Sequence, residues 1–197
     1  MFVPGLAHAQ GQGWSVLSGQ TMGAGRNAFY GQVGFPGLSL NLRHGASDKV
    51  DLGGRFAFNY SQEGVVNVID PGLKLQGLVR LNLAKSRLSF ALEFEPGVNF
   101  YFHGGGNTDI GMLMPINFVV GIPAGSALVI NARMDMPLQV YFGETVVIPI
   151  LFGGGLEYFI DQSLNVNFKL MMGPSIATAG GNAYFTLQSQ FGVALRF

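Results

Sequence analysis

Residues 88–102 read Leu-Ser-Phe-Ala-Leu-Glu-Phe-Glu-Pro-Gly-Val-Asn-Phe-Tyr-Phe. The even positions are apolar: Leu88, Phe90, Leu92, Phe94, Pro96, Val98, Phe100 and Phe102. The odd positions hold Ser89, Ala91, Glu93, Glu95, Gly97, Asn99 and Tyr101. A period of two is what a strand with one apolar and one polar face requires. Strands of soluble domains usually run about 5–6 residues, whereas a tilted bilayer-crossing strand needs about 9–11. An unbroken alternation from 88 to 102 therefore predicts a long strand of the crossing kind.

The same alternation recurs along the chain. It is read at 52–60, 73–83, 110–122, 128–142, 148–158, 164–172 and 185–197, with shorter runs near 29–35 and 38–42. Two readings stand at the start. Phe35-Pro36-Gly37 is either a tight turn between two short strands, or a kink in one long strand preceded by a first strand over Trp14 to Gly19. Either way the count is about ten strands, with eight to twelve admitted. The connectors also alternate in kind. Those at 45–49, 84–87, 123–126 and 161–163 are short; those at 61–71, 103–109, 143–147 and 177–183 are longer or richer in Gly. The organisation expected is a remnant of a signal peptide over 1–9, where Ala7-His8-Ala9 forms an A-x-A pattern, then an N-terminal segment over 10–27 and one β-domain over 28–197.

Composition narrows the class. Of the 197 residues, 48% are hydrophobic and only 11% charged, and mean hydropathy is +0.33. An ordinary soluble domain is about 25% charged. No run of about 18 apolar residues occurs, so no transmembrane helix is expected. Formal net charge is zero, which argues against nucleic acid as a partner. Cysteine is absent, so thiol chemistry and disulfides are excluded.

The placement of charge separates a soluble sandwich from a membrane barrel. Eleven charges fall within the alternating runs: Arg43, Arg55, Lys74, Arg80, Glu93, Glu95, Arg133, Asp135, Glu157, Lys169 and Arg196. Asp51 is left out as a strand-edge residue. Each of the eleven lies opposite the aliphatic and aromatic stripe. A lysine or arginine facing lipid at the midplane costs roughly 2–4 kcal/mol. The pattern therefore predicts an all-β antiparallel transmembrane barrel, with the apolar face toward lipid and the eleven charges lining the lumen. Hairpin turns of the simplest length bring opposite charges together. A turn at 84–87 sets Arg80 diagonal to Glu93 and Lys74 diagonal to Glu95; one at 45–49 sets Arg43 opposite Asp51; one at 161–163 sets Glu157 opposite Asn167. Two readings of these charges stay open: a network that fills a narrow barrel, or a polar path for a small solute. Trp14 and the Tyr and Phe residues at strand ends are read as an interfacial aromatic girdle.

The last residues, Gln190-Phe191-Gly192-Val193-Ala194-Leu195-Arg196-Phe197, close on an aromatic preceded by apolar residues at every second position. With the alternation over 28–197, this resembles the bacterial outer-membrane β-barrel proteins as a broad class. The resemblance implies that Phe191, Val193, Leu195 and Phe197 form a C-terminal assembly signal read by the barrel-assembly machinery. It also implies both termini in the periplasm, longer loops outside, and a Gram-negative-type bacterial outer membrane as the location.

Chemistry-bearing motifs are sparse. The histidines are His8, His44 and His103, and no HExxH or other metal-ligand spacing occurs. No catalytic motif, cofactor or metal site is expected. Gly104-Gly105-Gly106 is read as a loop tip, and Gly153-Gly154-Gly155 as a mid-strand device that relieves crowding or permits curvature. The function expected is a structural barrel or a porin-like narrow pore for small solutes, monomeric, with outer-membrane lipid and lipopolysaccharide as its surroundings. The alternatives are a surface adhesion or binding protein acting through its loops, and a lipid-modifying enzyme of the outer membrane.

Overall fold

The computed structural model describes residues 13–61, 70–142, 145–178 and 181–197. The stretch read as a signal remnant, 1–9, lies outside the described residues. Among the described residues twelve strand segments follow in chain order: β1 (Asn27–Phe35), β2 (Gly37–Gly45), β3 (Val50–Asn59), β4 (Gly72–Lys85), β5 (Ser89–Phe94), β6 (Gly97–Phe102), β7 (Thr108–Pro123), β8 (Leu128–Tyr141), β9 (Thr145–Pro149), β10 (Leu151–Phe159), β11 (Leu164–Ala177) and β12 (Asn182–Arg196). All pairings are antiparallel, and β12 pairs back onto β1 from Ala28↔Arg196 to Phe35↔Ser189, so the sheet closes. No helix among the described residues is long and apolar enough to cross a membrane.

The twelve segments make ten staves. Both β5 and β6 lie between β4 and β7, and both β9 and β10 lie between β8 and β11. The alternation over 88–102 is therefore one stave, as expected, but two strands. The physical cause is a row of prolines, which have no N–H for the ladder. Pro96 interrupts the first broken stave; Pro115 on β7 faces Pro137 on β8; Pro149 ends β9; and Pro174 lies on β11. Their carbonyls still accept: Glu95 N–H donates to Pro115 O (3.1 Å), Gly77 N–H to Pro96 O (2.7 Å) and Ile150 N–H to Pro174 O (2.8 Å). Side-chain parity carries through both breaks.

Of the two readings of the N-terminus, the structure takes the tight turn. Pro36, joined to Phe35 by a cis peptide bond, separates β1 from β2. Residues 14–19 form no strand. Their stretch lies inside the barrel, with Trp14, Ser15 and Ser18 fully buried.

Two of the three expected hairpin registers slide by two residues. In the β2–β3 hairpin Arg43 faces Gly53, and Asp51 faces Gly45 rather than Arg43. In the β4–β5 hairpin Arg80 is directly opposite Glu93, a bulge falls between Asn82 and Ala84, and Lys74 faces Asn99 of β6. The third, with Glu157 opposite Asn167, is as expected. A slide of two leaves each side chain on its face, so the inside and outside sets are unchanged.

Gly153, Gly154 and Gly155 sit where β10 is squeezed between β8 and β11. A Cβ on them would collide with the carbonyls of Leu170, Asn131 and Phe168 respectively. The triplet thus serves close backbone approach. It also leaves room beside Arg133 and Lys169, the strand partners of Gly153 and Gly155.

The outward face is apolar on all staves. Leu40, Phe56, Leu75, Phe118, Phe168, Phe191 and Leu195 are among its exposed side chains. The termini of the barrel and the turns at 46–49, 86–88, 124–127 and 160–163 share one rim, here the first rim; the opposite strand ends, with Pro36 and residues 103–107, form the second. Tyr60, Phe102 and Phe142 are exposed at the second rim. Trp14 is not part of such a girdle. It is fully buried in the first rim's mouth, packed edge-on to Phe159 at 5.3 Å, and its Nε1–H donates to Gln162 O (3.0 Å).

Candidate functional site: the filled lumen

Ten of the eleven charged residues singled out in the sequence point into the barrel between the rims, and all but Arg55 are buried. Arg55 is the partly exposed member, reaching Glu95 at 2.5 Å. Arg196 stands apart at the first rim, its guanidinium 5.3 Å over the Trp14 ring and donating to Gln162 O (3.2 Å). Asp51, set aside as an edge residue, is fully buried in β3 and belongs to the cluster.

Three layers fill the lumen. The first, beside the first rim, is the N-terminal segment itself. Trp14 through Met22 are all buried within the barrel. The segment does not alternate, so many of its backbone groups lack strand partners, and the wall supplies side chains instead. Arg80 donates to the carbonyls of Ser15 (2.6 Å), Val16 (2.8 Å) and Gln20 (2.7 Å). Arg133 donates to Leu17 O (2.9 Å) and Asn82 to Gly19 O (2.5 Å). Glu157 accepts from Val16 N–H (2.9 Å) and from the Ser15 hydroxyl. Asp51 accepts from Met22 N–H (2.9 Å). The segment returns to the first rim. Gly25 N–H donates to Gly45 O and Gly45 N–H to Arg26 O, both at 2.8 Å.

The second layer is the charge cage. Glu93, fully buried, is shared by three guanidiniums: Arg80 at 2.6 Å, Arg133 at 2.7 Å and Arg43 at 3.3 Å. Arg133 also reaches Asp135 at 3.2 Å, and Asp135 lies 3.8 Å from Lys169. Arg80 lies 3.8 Å from Asp51. Arg80 and Arg133 spend further N–H groups on the carbonyls of the inserted segment, whereas Arg43 donates its Nε–H to the Tyr30 hydroxyl (3.2 Å). The cage and the segment therefore complete each other. Between them remains a cavity of about 60 Å³ bordered by Val16, Leu17, Arg43, Arg55, Glu95 and Pro115. At roughly 10–15 Å³ for each water centre, it admits only a few waters.

The third layer, toward the second rim, is built largely of uncharged polar side chains, with Lys74 on β4 directly opposite Asn99. Asn99 donates to Gln139 (3.1 Å) and to the Tyr141 hydroxyl (3.3 Å), and Tyr141 O–H donates to Gln139 (2.7 Å). Asn59 donates to the Tyr101 hydroxyl (3.1 Å). The rings of Tyr101 and Tyr141 are both buried, 6.5 Å apart.

Strand parity puts the inward charges on one face in the sequence; which of them meet at Glu93, and that Asp51 joins them, comes only from the closed barrel. The inserted segment is not legible in that reading, which takes Trp14 to Gly19 as a candidate first strand, Trp14 also as a girdle residue, and residues 20–22 only as part of the N-terminal segment 10–27. The available signal was the segment's lack of alternation in a chain where alternation is otherwise pervasive.

The Phe191, Val193, Leu195 and Phe197 stripe faces outward on and beyond β12. Among the described residues no group of His, Asp and Glu side chains is arranged to hold a metal ion. The fold and lumen together define a closed antiparallel barrel with a polar, self-filled interior and an apolar exterior. Against known proteins, the chain matches no family model, and no curated protein is significantly similar to it.

Proposed function

We propose that the chain is an integral barrel of a bacterial outer membrane, and that in its resting state it is a sealed, structural barrel rather than an open pore. The membrane setting is supported by the inversion of polarity: large apolar side chains cover the outside while buried ions fill the inside. Such a surface left in water would be an aggregation liability, and acyl chains satisfy it. Outer-membrane lipid and lipopolysaccharide are thus the surroundings, with the first rim periplasmic. The sealed state rests on one observation, the segment 14–22 bonded across the lumen by Arg80, Arg133, Glu157 and Asp51.

A narrow pore is the second reading, favoured by the charged cavity between segment and cage. Planar-bilayer recording separates the two. A sealed barrel gives no steps as the full chain and gives steps once residues 13–22 are deleted. Steps from the full chain that vanish on Glu93→Gln and Glu95→Gln would replace the sealed reading with the narrow pore.

A further inference from the structure

At the second rim, above the tyrosine layer, His103 stands between two carboxylates. Its Nδ1 is 2.6 Å from Asp70 Oδ2 and its Nε2 is 2.8 Å from Asp109 Oδ2. The three come from adjacent staves. Asp70 lies two residues before β4, His103 just after β6, and Asp109 near the start of β7. Each shares the inward parity of its stave, two residues beyond Gly72, Tyr101 and Gly111 respectively. The group therefore runs along the rim of the lumen across three neighbouring staves.

Ionised carboxylates only accept hydrogen bonds. Both ring nitrogens must then donate, and an imidazole with two N–H groups is an imidazolium. A neutral ring keeps one N–H and turns a lone pair toward the other carboxylate. Asp70 is the better shielded of the two, 18% exposed against 51% for Asp109. Loss of the proton thus leaves Nδ1–H on Asp70 and turns the Nε2 lone pair against Asp109, which water can take over.

We propose that His103 is an acid-set latch at the mouth of the barrel, tying the segment entering β4 to the start of β7 when its ring is charged and releasing Asp109 when it is not. The backbone beneath is the end of the β4–β6–β7 ladder, where Tyr101 pairs with Gly72 and Asp109, and Phe102 with Thr108. Phe102 N–H donates to Pro71 O (2.9 Å) and His103 N–H to Asn107 O (2.9 Å). The charged groups paired to the ring among the described residues are Asp70 and Asp109. On the same staves, Tyr101 lies two residues deeper than His103 and Lys74 four deeper than Asp70. The hydrogen bond to Asp109 is the foremost influence raising the His103 pKa above its ordinary value; desolvation opposes it, and the hydrogen bond to Asp70 adds to the rise. The sign follows: the latch is fully set below the ordinary histidine pKa of about 6.5 and is lost as pH rises through the higher folded value.

The test is solution NMR of the full chain refolded in micelles. The His103 ring should titrate with a midpoint above about 6.5, and Asp109→Asn should lower that midpoint. Protection of the Phe102 amide, taken relative to His103→Gln at each pH, should fall through the same midpoint. A midpoint at or below 6.5, a midpoint unmoved by Asp109→Asn, or the same amide behaviour in wild type and His103→Gln would each overturn the latch. None of these readouts depends on conductance, so the latch and the sealed-barrel reading fail separately.

Discussion

Glu93 concentrates the electrostatics of the lumen in one side chain. Three arginines converge on it in a space without bulk water. Removing one partner of a buried ion pair costs about 3–5 kcal/mol, because a charge is left uncompensated. Glu93→Gln should lower the stability of the refolded barrel by at least that order, read as a shift in the urea unfolding midpoint. Glu95→Gln touches a pair whose arginine is partly exposed and should cost clearly less. Trp14 makes a second residue-scale case. Truncating a buried tryptophan costs about 3–5 kcal/mol in a soluble core. Here the ring plugs a mouth that the wall forms without it, so Trp14→Ala should loosen residues 14–22, seen as faster amide exchange at Val16, while the wall amides stay protected. An equal loss of protection in β2 and β3 would count against that division.

At the scale of elements, the proline row and the glycine triplet act in opposite ways. The prolines at 96, 115, 137, 149 and 174 remove donors from neighbouring staves at one level and so divide two staves into β5–β6 and β9–β10. The barrel should be locally weakest there, with amides of Gly97 and Leu151 exchanging faster than those of Asn41 and Ala57 in the unbroken β2–β3 pair. The glycines do the reverse and let backbones close up. Gly154→Val would drive a branched side chain into Asn131 O. Overpacking ordinarily costs about 1–3 kcal/mol, and a clash with backbone rather than a movable side chain should reach the upper end or prevent closure of β10 against β8. Retained heat-modifiable migration on a gel would show that the stave tolerates the change.

The whole molecule is a wall and a filling that depend on each other unequally. The wall's ladder closes through β12 and β1 without the inserted segment, whereas residues 14–22 have no ladder of their own and are held by wall side chains. Deleting residues 13–22 should therefore leave a barrel of the same strand content by circular dichroism, less stable because Arg80 and Arg133 lose their carbonyl partners. On the outside, Leu40 lies mid-strand among apolar neighbours. Leu40→Arg should cost roughly 2–4 kcal/mol in a bilayer, and much less in a micelle, where the guanidinium reaches water. Equal stability in both would argue against a lipid-facing wall.

The wall was legible in the sequence because a strand's two faces depend only on parity. Alternation over 88–102 and its repeats assigned Arg43, Glu93, Arg133 and their fellows to one face before any pairing was known, and a slide of two residues at Arg43 or Arg80 left that assignment intact. Two of the three registers were not legible, since turn length and the bulge at Asn82–Ala84 depend on how neighbouring staves fit, while the simple turn at 161–163 gave Glu157 opposite Asn167. Nor was the fate of residues 14–22. An aperiodic stretch with one tryptophan acquires a place only when a closed wall presents Arg80, Arg133, Glu157 and Asp51 from four different staves around one space. The His103 latch is of the same kind: Asp70 and Asp109 flank the ring because β4, β6 and β7 are neighbours. Periodicity is a local property, and the chain carries it by itself. Convergence of distant polar groups on one interior is a property of closure, and only the tertiary structure decided it.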